Sequence, residues 1–199
     1  SQDHKRIGEG NTGLNTRGMG TIAPVPVVDE ALVREVADIV VAPLLTEMKK
    51  RGMSFKGLLY PGVMLTPDGV RVLEFNARFG DPETEVYMRL LESDIVEIFE
   101  ASIDGTLDTL SIDWKSGYAV NIVLASGGYP EKYEKGKVIA GIDQAEKLEG
   151  VVVFHAGTKM EGGDLVTHGG RVLDVSAAGE TFEIARARAY EACEKIEFE

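Results

Sequence analysis

Cysteine, positive charge and long apolar runs are all scarce in this chain. One cysteine, Cys193, stands among 199 residues, so no internal disulfide can form, and its place in an apolar helical pattern reads as a structural thiol. A reducing compartment fits that usage, and a cytoplasmic protein is expected. No apolar run approaches the roughly 18 residues that a membrane-spanning helix needs, and residues 1–6 are polar and charged, unlike a secretory signal. No membrane partner is expected. Lys and Arg number 21 against 33 Asp and Glu, a net charge of −12. A nucleic-acid or anionic-lipid surface needs the opposite balance, so neither is expected, and any phosphate must be held locally. The 44% hydrophobic content is ordinary for a globular chain, long enough to bury a sizeable core in one large domain or two small ones.

Residues 8–20 interleave Gly8, Gly10, Gly13, Gly18 and Gly20 with Asn11, Thr12, Asn15 and Thr16, a loop composition in which no regular element is expected. Asp29 reads as an N-cap. Leu32, Val36, Ile39, Val40, Leu44 and Met48 follow at helical spacing until the stop Lys49-Lys50-Arg51-Gly52, and Pro43 should kink or divide that helix. Two extended runs, 57–66 and 70–76, joined by Pro67-Asp68-Gly69 predict a hairpin. Asp81-Pro82 starts a helix to about residue 92, and Asp94 with Glu97 starts another ending near Gly105. Farther on, 119–125, 151–155 and 172–175 are strand-like, and Phe182, Ala185, Ala189, Ala192 and Ile196 form the stripe of a closing helix. A composition change near residues 113–115 divides the chain into 1–115 and 116–199.

Side chains alternate along a strand, so Glu74 and Asn76 share one face while Leu73 and Phe75 take the other. A carboxylate and an amide oxygen suit a hard cation such as Mg²⁺, and Arg78 could hold phosphate oxygens bidentately. An exposed strand face shows the same alternation without any ligand. Asp3-His4-Lys5-Arg6 and Asn15-Thr16-Arg17-Gly18-Met19-Gly20 offer local basic charge, neutral hydrogen bonds and close backbone approach to a polar substrate; a solvated charge run and a flexible loop read equally well. The segments 126–130, 155–159 and 168–171 each end a strand-like run and are readable as tight turns. His155 and His168 lack zinc-ligand spacing, and neither a phosphate-binding P-loop nor a hydrolase nucleophile elbow is present.

Taken together and in order, Gln2 to Arg6, Gly13 to Gly20, Tyr60 to Met64, Glu74 to Thr84, Ala125 to Pro130, His155 to Thr158 and His168 to Leu173 resemble the phosphoribosylamine–glycine ligase (glycinamide ribonucleotide synthetase) family of the ATP-grasp superfamily. The resemblance implies an α+β fold. The later part of an ATP-grasp core, an antiparallel sheet with helices, would be followed by a small α+β carboxy-terminal domain. It also implies ATP-dependent joining of glycine to 5-phosphoribosylamine through a glycyl phosphate, in purine biosynthesis. By it, Glu74 and Asn76 hold Mg²⁺ or Mn²⁺ between the nucleotide phosphates, Arg78 contacts the nucleotide, and Arg78 and Asp81 are the catalytic residues. Asp3, His4, Lys5, Arg6, Asn15, Thr16 and Gly18 form the substrate-side wall.

Arg17 stands where the family loop carries glycine, and a positive φ there would strain arginine by about 1–2 kcal/mol. The resemblance covers about the carboxy-terminal half of the family enzyme. The amino-terminal half is therefore the expected partner in a complete protein, which the family suggests is a monomer. This stretch alone is expected to fold, to bind ATP weakly and to lack ligase activity. Another purine-pathway ATP-grasp ligase or carboxylase, and a non-catalytic remnant serving as a binding module, are the alternatives. The segments at 3–6 and 13–20 argue against the first, and the retained Glu74/Asn76 pair argues against the second.

Overall fold

The computed structural model describes residues 1–198. In chain order the strands are β1 (Gln2–Asp3), β2 (Arg6–Gly8), β3 (Thr12–Asn15), β4 (Gly20–Ala23), β5 (Tyr60–Thr66), β6 (Gly69–Asn76), β7 (Tyr118–Ala125), β8 (Val151–His155), β9 (Thr158–Glu161), β10 (Asp164–Thr167) and β11 (Arg171–Gly179). The helices are α1 (Glu30–Val36), α2 (Ala42–Lys50), α3 (Glu83–Leu90), α4 (Ile95–Asp104), α5 (Ile142–Ala145) and α6 (Phe182–Cys193). Two compact units result. One comprises Ser1–Pro24, Asp81–Leu90 and Lys115–Glu199, the other Val25–Gly80 and Leu91–Trp114. The units are not contiguous stretches; the composition change at 113–115 falls on the last of the chain's crossings between them. None of the described helices is long and apolar enough to cross a membrane.

The first unit is built on a five-stranded antiparallel sheet of order β1-β4-β7-β11-β8. Period-2 alternation separates its faces. Val120, Leu173, Val175 and Ala177 pack with Ala185, Ala189 and Ala192 of α6, all buried. Small residues let α6 lie close to the sheet, and Thr181 caps it by accepting from the Ile184 amide. The opposite face receives α3, where Val86 and Leu90 meet Ala23 and Ala119. That face also buries Thr21, Asn121, Asp174 and Ser176, a polar layer unusual beneath a helix. Each needs partners there: Thr21 donates to the Pro82 carbonyl at 2.6 Å and Asn121 Nδ2 to Asp174 Oδ1 at 2.8 Å.

In the second unit Asp29 accepts from the Leu32 amide at 2.8 Å to cap α1, and Pro43 occupies the first turn of α2. Residues 37–41 between them form a π turn. The chain thus absorbs the proline's missing donor by widening the preceding turn rather than by breaking. β5 and β6 form the expected hairpin around Pro67-Asp68, with a register shift between Gly62 and Val63. Asp94 caps α4 through the Val96 amide, and Gly105 ends it in the left-handed region at φ 77°.

Several expectations need correction. Residues 8–20 hold β2, a short 3-10 turn and β3, paired antiparallel; cross-strand hydrogen bonds satisfy a backbone whose composition reads as loop. The helix from residue 83 stops at Leu90 because Leu91 pairs with Trp114 and the Glu92 amide donates to the Asp113 carbonyl. The hairpin β9–β10 was not apparent from its short polar strands. Leu73 and Phe75 are 59% and 44% exposed rather than packed into a layer. Arg17 carries no positive φ, since Asn11 is the non-glycine residue with one among the described residues, so the expected strain is absent.

Candidate functional site

In the second unit, Glu74 and Asn76 sit on the last turns of pleat of β6, two residues apart and so on one face. Glu74 pairs across the hairpin with Gly62, where a Cβ would stand 3.1 Å from Glu74 Cγ. The glycine leaves the acidic stem room to lie over β5. The Glu74 carboxylate is exposed and makes no ion pair or hydrogen bond among the described residues. Arg78 bends back at the strand end, donating from Nη2 to Asn76 Oδ1 at 3.3 Å and from Nη1 to the Phe79 carbonyl at 2.8 Å. Phe79 is steadied by an edge-to-face contact with Phe99, centroids 5.8 Å apart. The structure thus brings together the three residues read as the metal and nucleotide group. Two hard oxygen donors beside a guanidinium fit a Mg²⁺ that takes few protein ligands and fills its shell with water and phosphate.

The first unit collects the other group. β1 runs into Asp3, His4 and Lys5, and the returning loop is tied to it by the backbone bonds His4 N to Gly20 O, Met19 N to His4 O and Thr16 N to Lys5 O, between 2.6 and 3.0 Å. Thr16 Oγ1 donates to the Lys5 carbonyl at 2.8 Å and accepts from the Gly18 amide at 3.0 Å. Lys5 Nζ pairs with Asp3 Oδ2 at 2.8 Å; burial of Asp3 pushes its pKa up, and Lys5 opposes that shift. Gly18 is buried at φ 116°, and a Cβ on it would meet Pro82 Cδ at 2.5 Å and Asp3 Oδ1 at 2.7 Å. Only glycine fits. His4, Arg6 and Asn15 are exposed, with Arg6 donating to the Gly13 carbonyl at 2.8 Å.

Asp81 belongs to this unit too, and it is not free. Arg171 at the start of β11 pairs with Asp81 Oδ1 at 2.9 Å through Nη2. Its Nη1 reaches the carbonyls of Asp81 at 2.9 Å, Arg17 at 3.3 Å and Gly18 at 3.5 Å. One guanidinium therefore fastens the glycine-rich loop and the start of the α3 segment to β11. Asp81 also lies with Glu85 and Asp174 so that one oxygen of each falls within 4.8 Å of the others. Burial, reinforced by the neighbouring carboxylates, pushes Glu85 to about 7, and burial pushes Asp174 to about 6.

The sequence reading missed Arg171, Glu85 and Asp174 as members of this group. It treated the turns at 126–130, 155–159 and 168–171 separately, whereas they meet. Ser126 Oγ donates to the Gly169 carbonyl at 2.9 Å, the Ser126 amide to Gly170 at 2.8 Å and the Gly157 amide to Arg171 at 3.0 Å. A signal was present, because the first two turns end β7 and β8 while the third leads into β11, and in an antiparallel sheet the start of β11 lies beside those ends.

The chain is similar to known proteins over its whole length. The family model described as "Phosphoribosylglycinamide synthetase, ATP-grasp (A) domain" matches residues 1–84, and "Phosphoribosylglycinamide synthetase, C domain" matches residues 119–199. A phosphoribosylamine–glycine ligase of Brucella melitensis is 43% identical over 198 residues, an alignment covering 100% of this chain and 46% of that protein. The crystal structure of phosphoribosylamine–glycine ligase from Thermotoga maritima superposes with a TM-score of 0.84 at 38% identity, covering 100% of this chain and 48% of that one. N5-carboxyaminoimidazole ribonucleotide synthetase from Thermotoga maritima shares the fold at a TM-score of 0.60 and 18% identity, over 90% of this chain and 45% of that one. The chain spans about half the length of the curated relatives it matches. With both domain families matched in order and the sheet, helices and loops of an ATP-grasp α+β fold in place, the chain belongs to the phosphoribosylglycinamide synthetase family.

Proposed function

We propose that the chain supplies the metal-binding strand and the substrate-side wall of a cytoplasmic, ATP-dependent phosphoribosylamine–glycine ligase of purine biosynthesis. The observation that carries this reading is the convergence of Glu74, Asn76 and Arg78 at the end of β6 in a chain of this family. In the reaction, the glycine carboxylate attacks the γ-phosphorus of ATP to give glycyl phosphate and ADP. The amine of 5-phosphoribosylamine then attacks the acyl carbon, expelling phosphate and losing a proton to form the amide. A Mg²⁺ or Mn²⁺ ion held by Glu74 and Asn76 would neutralise charge on the nucleotide phosphates.

This chain contributes its own side chains to those steps. Arg78, released from its 3.3 Å contact with Asn76, is placed to donate two parallel N–H groups to the transferring phosphoryl oxygens. Asp81, fixed by Arg171, is a catalytic carboxylate in this reading, with its orientation set before substrate arrives. Asp3 to Arg6, with Asn15, Thr16 and Gly18, present the donors and the close backbone that a phosphorylated sugar amine requires. Residues 1–115 form the later part of the ATP-grasp domain and residues 116–199 the carboxy-terminal domain, in line with the matches at 1–84 and 119–199. The test is ADP formation by the gene product carrying this chain, with ATP, Mg²⁺, glycine and freshly made phosphoribosylamine. Turnover requiring both glycine and the amine supports the assignment. Turnover with another carboxylate in place of glycine, or none, overturns it.

A further inference from the structure

A second cationic feature lies at the other end of the first unit's sheet. Arg171 and the loops around Asp81 sit at the start of β11, which runs for nine residues to Gly179, about 26 Å at strand rise. Around Gly179 a cleft of about 350 Å³ opens, lined by Arg89, Lys115, Tyr118, Gly150, Gly179 and Arg188 among others. Three basic side chains converge there in a chain with net charge −12.

The arginine of α3 is the informative one. Arg89 Nη2 donates to the Gly150 carbonyl at 2.8 Å, yet Nε is buried without a hydrogen-bond partner, and Arg89 has no ion pair among the described residues. Burial alone pulls its pKa down, but a guanidinium stays charged in a protein, so the cost of leaving a donor desolvated persists. Lys115 is exposed and likewise has no ion pair among the described residues. Arg188 is held in place, donating to the Ala178 carbonyl at 2.9 Å and pairing with the exposed Glu149 at 2.7 Å. Glu180 is the carboxylate in the lining. An anion entering the cleft would neutralise the unpaired Arg89 charge and give Lys115 a partner. Tyr118 and Leu90 supply an apolar wall beside the charges.

We propose that this cleft binds a phosphate monoester. Lys115 contacts the phosphoryl oxygens, the Arg89 guanidinium stands beside them as counter-charge, Arg188 closes one side, and the uncharged part of the ligand lies against Tyr118 and Leu90. The size suits a ligand of nucleoside monophosphate dimensions. The site is independent of the ligase reading and is tested separately from it.

The test is calorimetric titration of the chain, without divalent metal, using inorganic phosphate and AMP as probes. Saturable binding with a Kd of about 1 mM or tighter is expected for at least one probe. AMP binding about tenfold tighter than phosphate supports an organic monoester as the occupant; affinities equal for the two, or tighter for phosphate, overturn it. Arg89→Gln should abolish the binding. Because Arg89 also pins Gly150, Lys115→Gln at an exposed position provides the second variant, with a loss of about threefold to tenfold and unchanged thermal melting. No saturation by either probe overturns the proposal. So does binding that survives Arg89→Gln or that Lys115→Gln leaves untouched, which would place the probe elsewhere.

Discussion

Replacing Glu85 with glutamine should stabilise the first unit at alkaline pH, against the usual direction for substitutions at a half-buried polar residue. Glu85 has its carboxyl pushed from 4.5 to about 7, first by burial and then by Asp174 and Asp81. Its Oε2 is buried without a hydrogen-bond partner. The folded chain therefore binds this proton more tightly than the unfolded one. The associated stability is fully present below pH 4.5, and it is lost as pH rises through about 7. A difference of about 2.5 pH units at about 1.36 kcal/mol each gives roughly 3 kcal/mol, which partial exposure reduces to about 2 kcal/mol. Asp174, raised from 3.8 to about 6, adds to the decline with the same sign. Glutamine keeps the shape and carries no charge, so Glu85→Gln should match the parent near pH 4, exceed it by part of the difference at pH 5.5 and by about 2 kcal/mol at pH 8. Urea unfolding followed by circular dichroism at pH 4.0, 5.5, 6.5 and 8.0 measures this. A parent whose stability rises from pH 5.5 to 8, or a variant that tracks it at every pH, refutes the reasoning.

Other outcomes follow from the same geometry. Arg171→Met strips Asp81 of its ion pair and leaves three carbonyls without their donor; a loss of about 3 kcal/mol is expected, read by thermal unfolding. Gly18→Ala forces a Cβ to 2.5 Å from Pro82 at φ 116° and should cost at least about 2 kcal/mol, while Arg17→Gly should change stability little. Cys193, whose thiol burial pushes up to about 12, should react with a thiol reagent at pH 8 far more slowly than free cysteine, and fast labelling of the folded chain would show the site to be open. A polypeptide of these 199 residues, about half the relatives' length, should show no glycine-dependent ADP formation; turnover by it would place a complete site within this stretch.

Local chemistry was the legible part of the sequence. Asp29 and Asp94 are caps because their side chains reach amides two or three residues on. Pro67-Asp68 joins a hairpin because the runs beside it alternate, and the same alternation places Glu74 and Asn76 on one face. What escaped was set by distance along the chain. Arg171 meets partners 90 and 154 residues away, and its neighbours Gly169 and Gly170 look like any tight turn. Glu85 and Asp174 look like exposed acids until α3 is laid over the polar face of the sheet. The chain's division into discontinuous units was equally hidden, since composition changes along the sequence while packing does not follow it.

The central claim is that Glu74 and Asn76 form the metal end of the nucleotide site. The most direct measurement is the Mg²⁺ dependence of glycine-dependent ADP formation by the gene product carrying this chain, compared with its Glu74→Gln variant. Glu74 is exposed and bonded to nothing among the described residues, so the substitution should leave folding intact and isolate the metal's role. The account predicts a fall in kcat/KM of about 10³-fold or more at saturating Mg²⁺ with unchanged thermal unfolding. Turnover within threefold of the parent would contradict it.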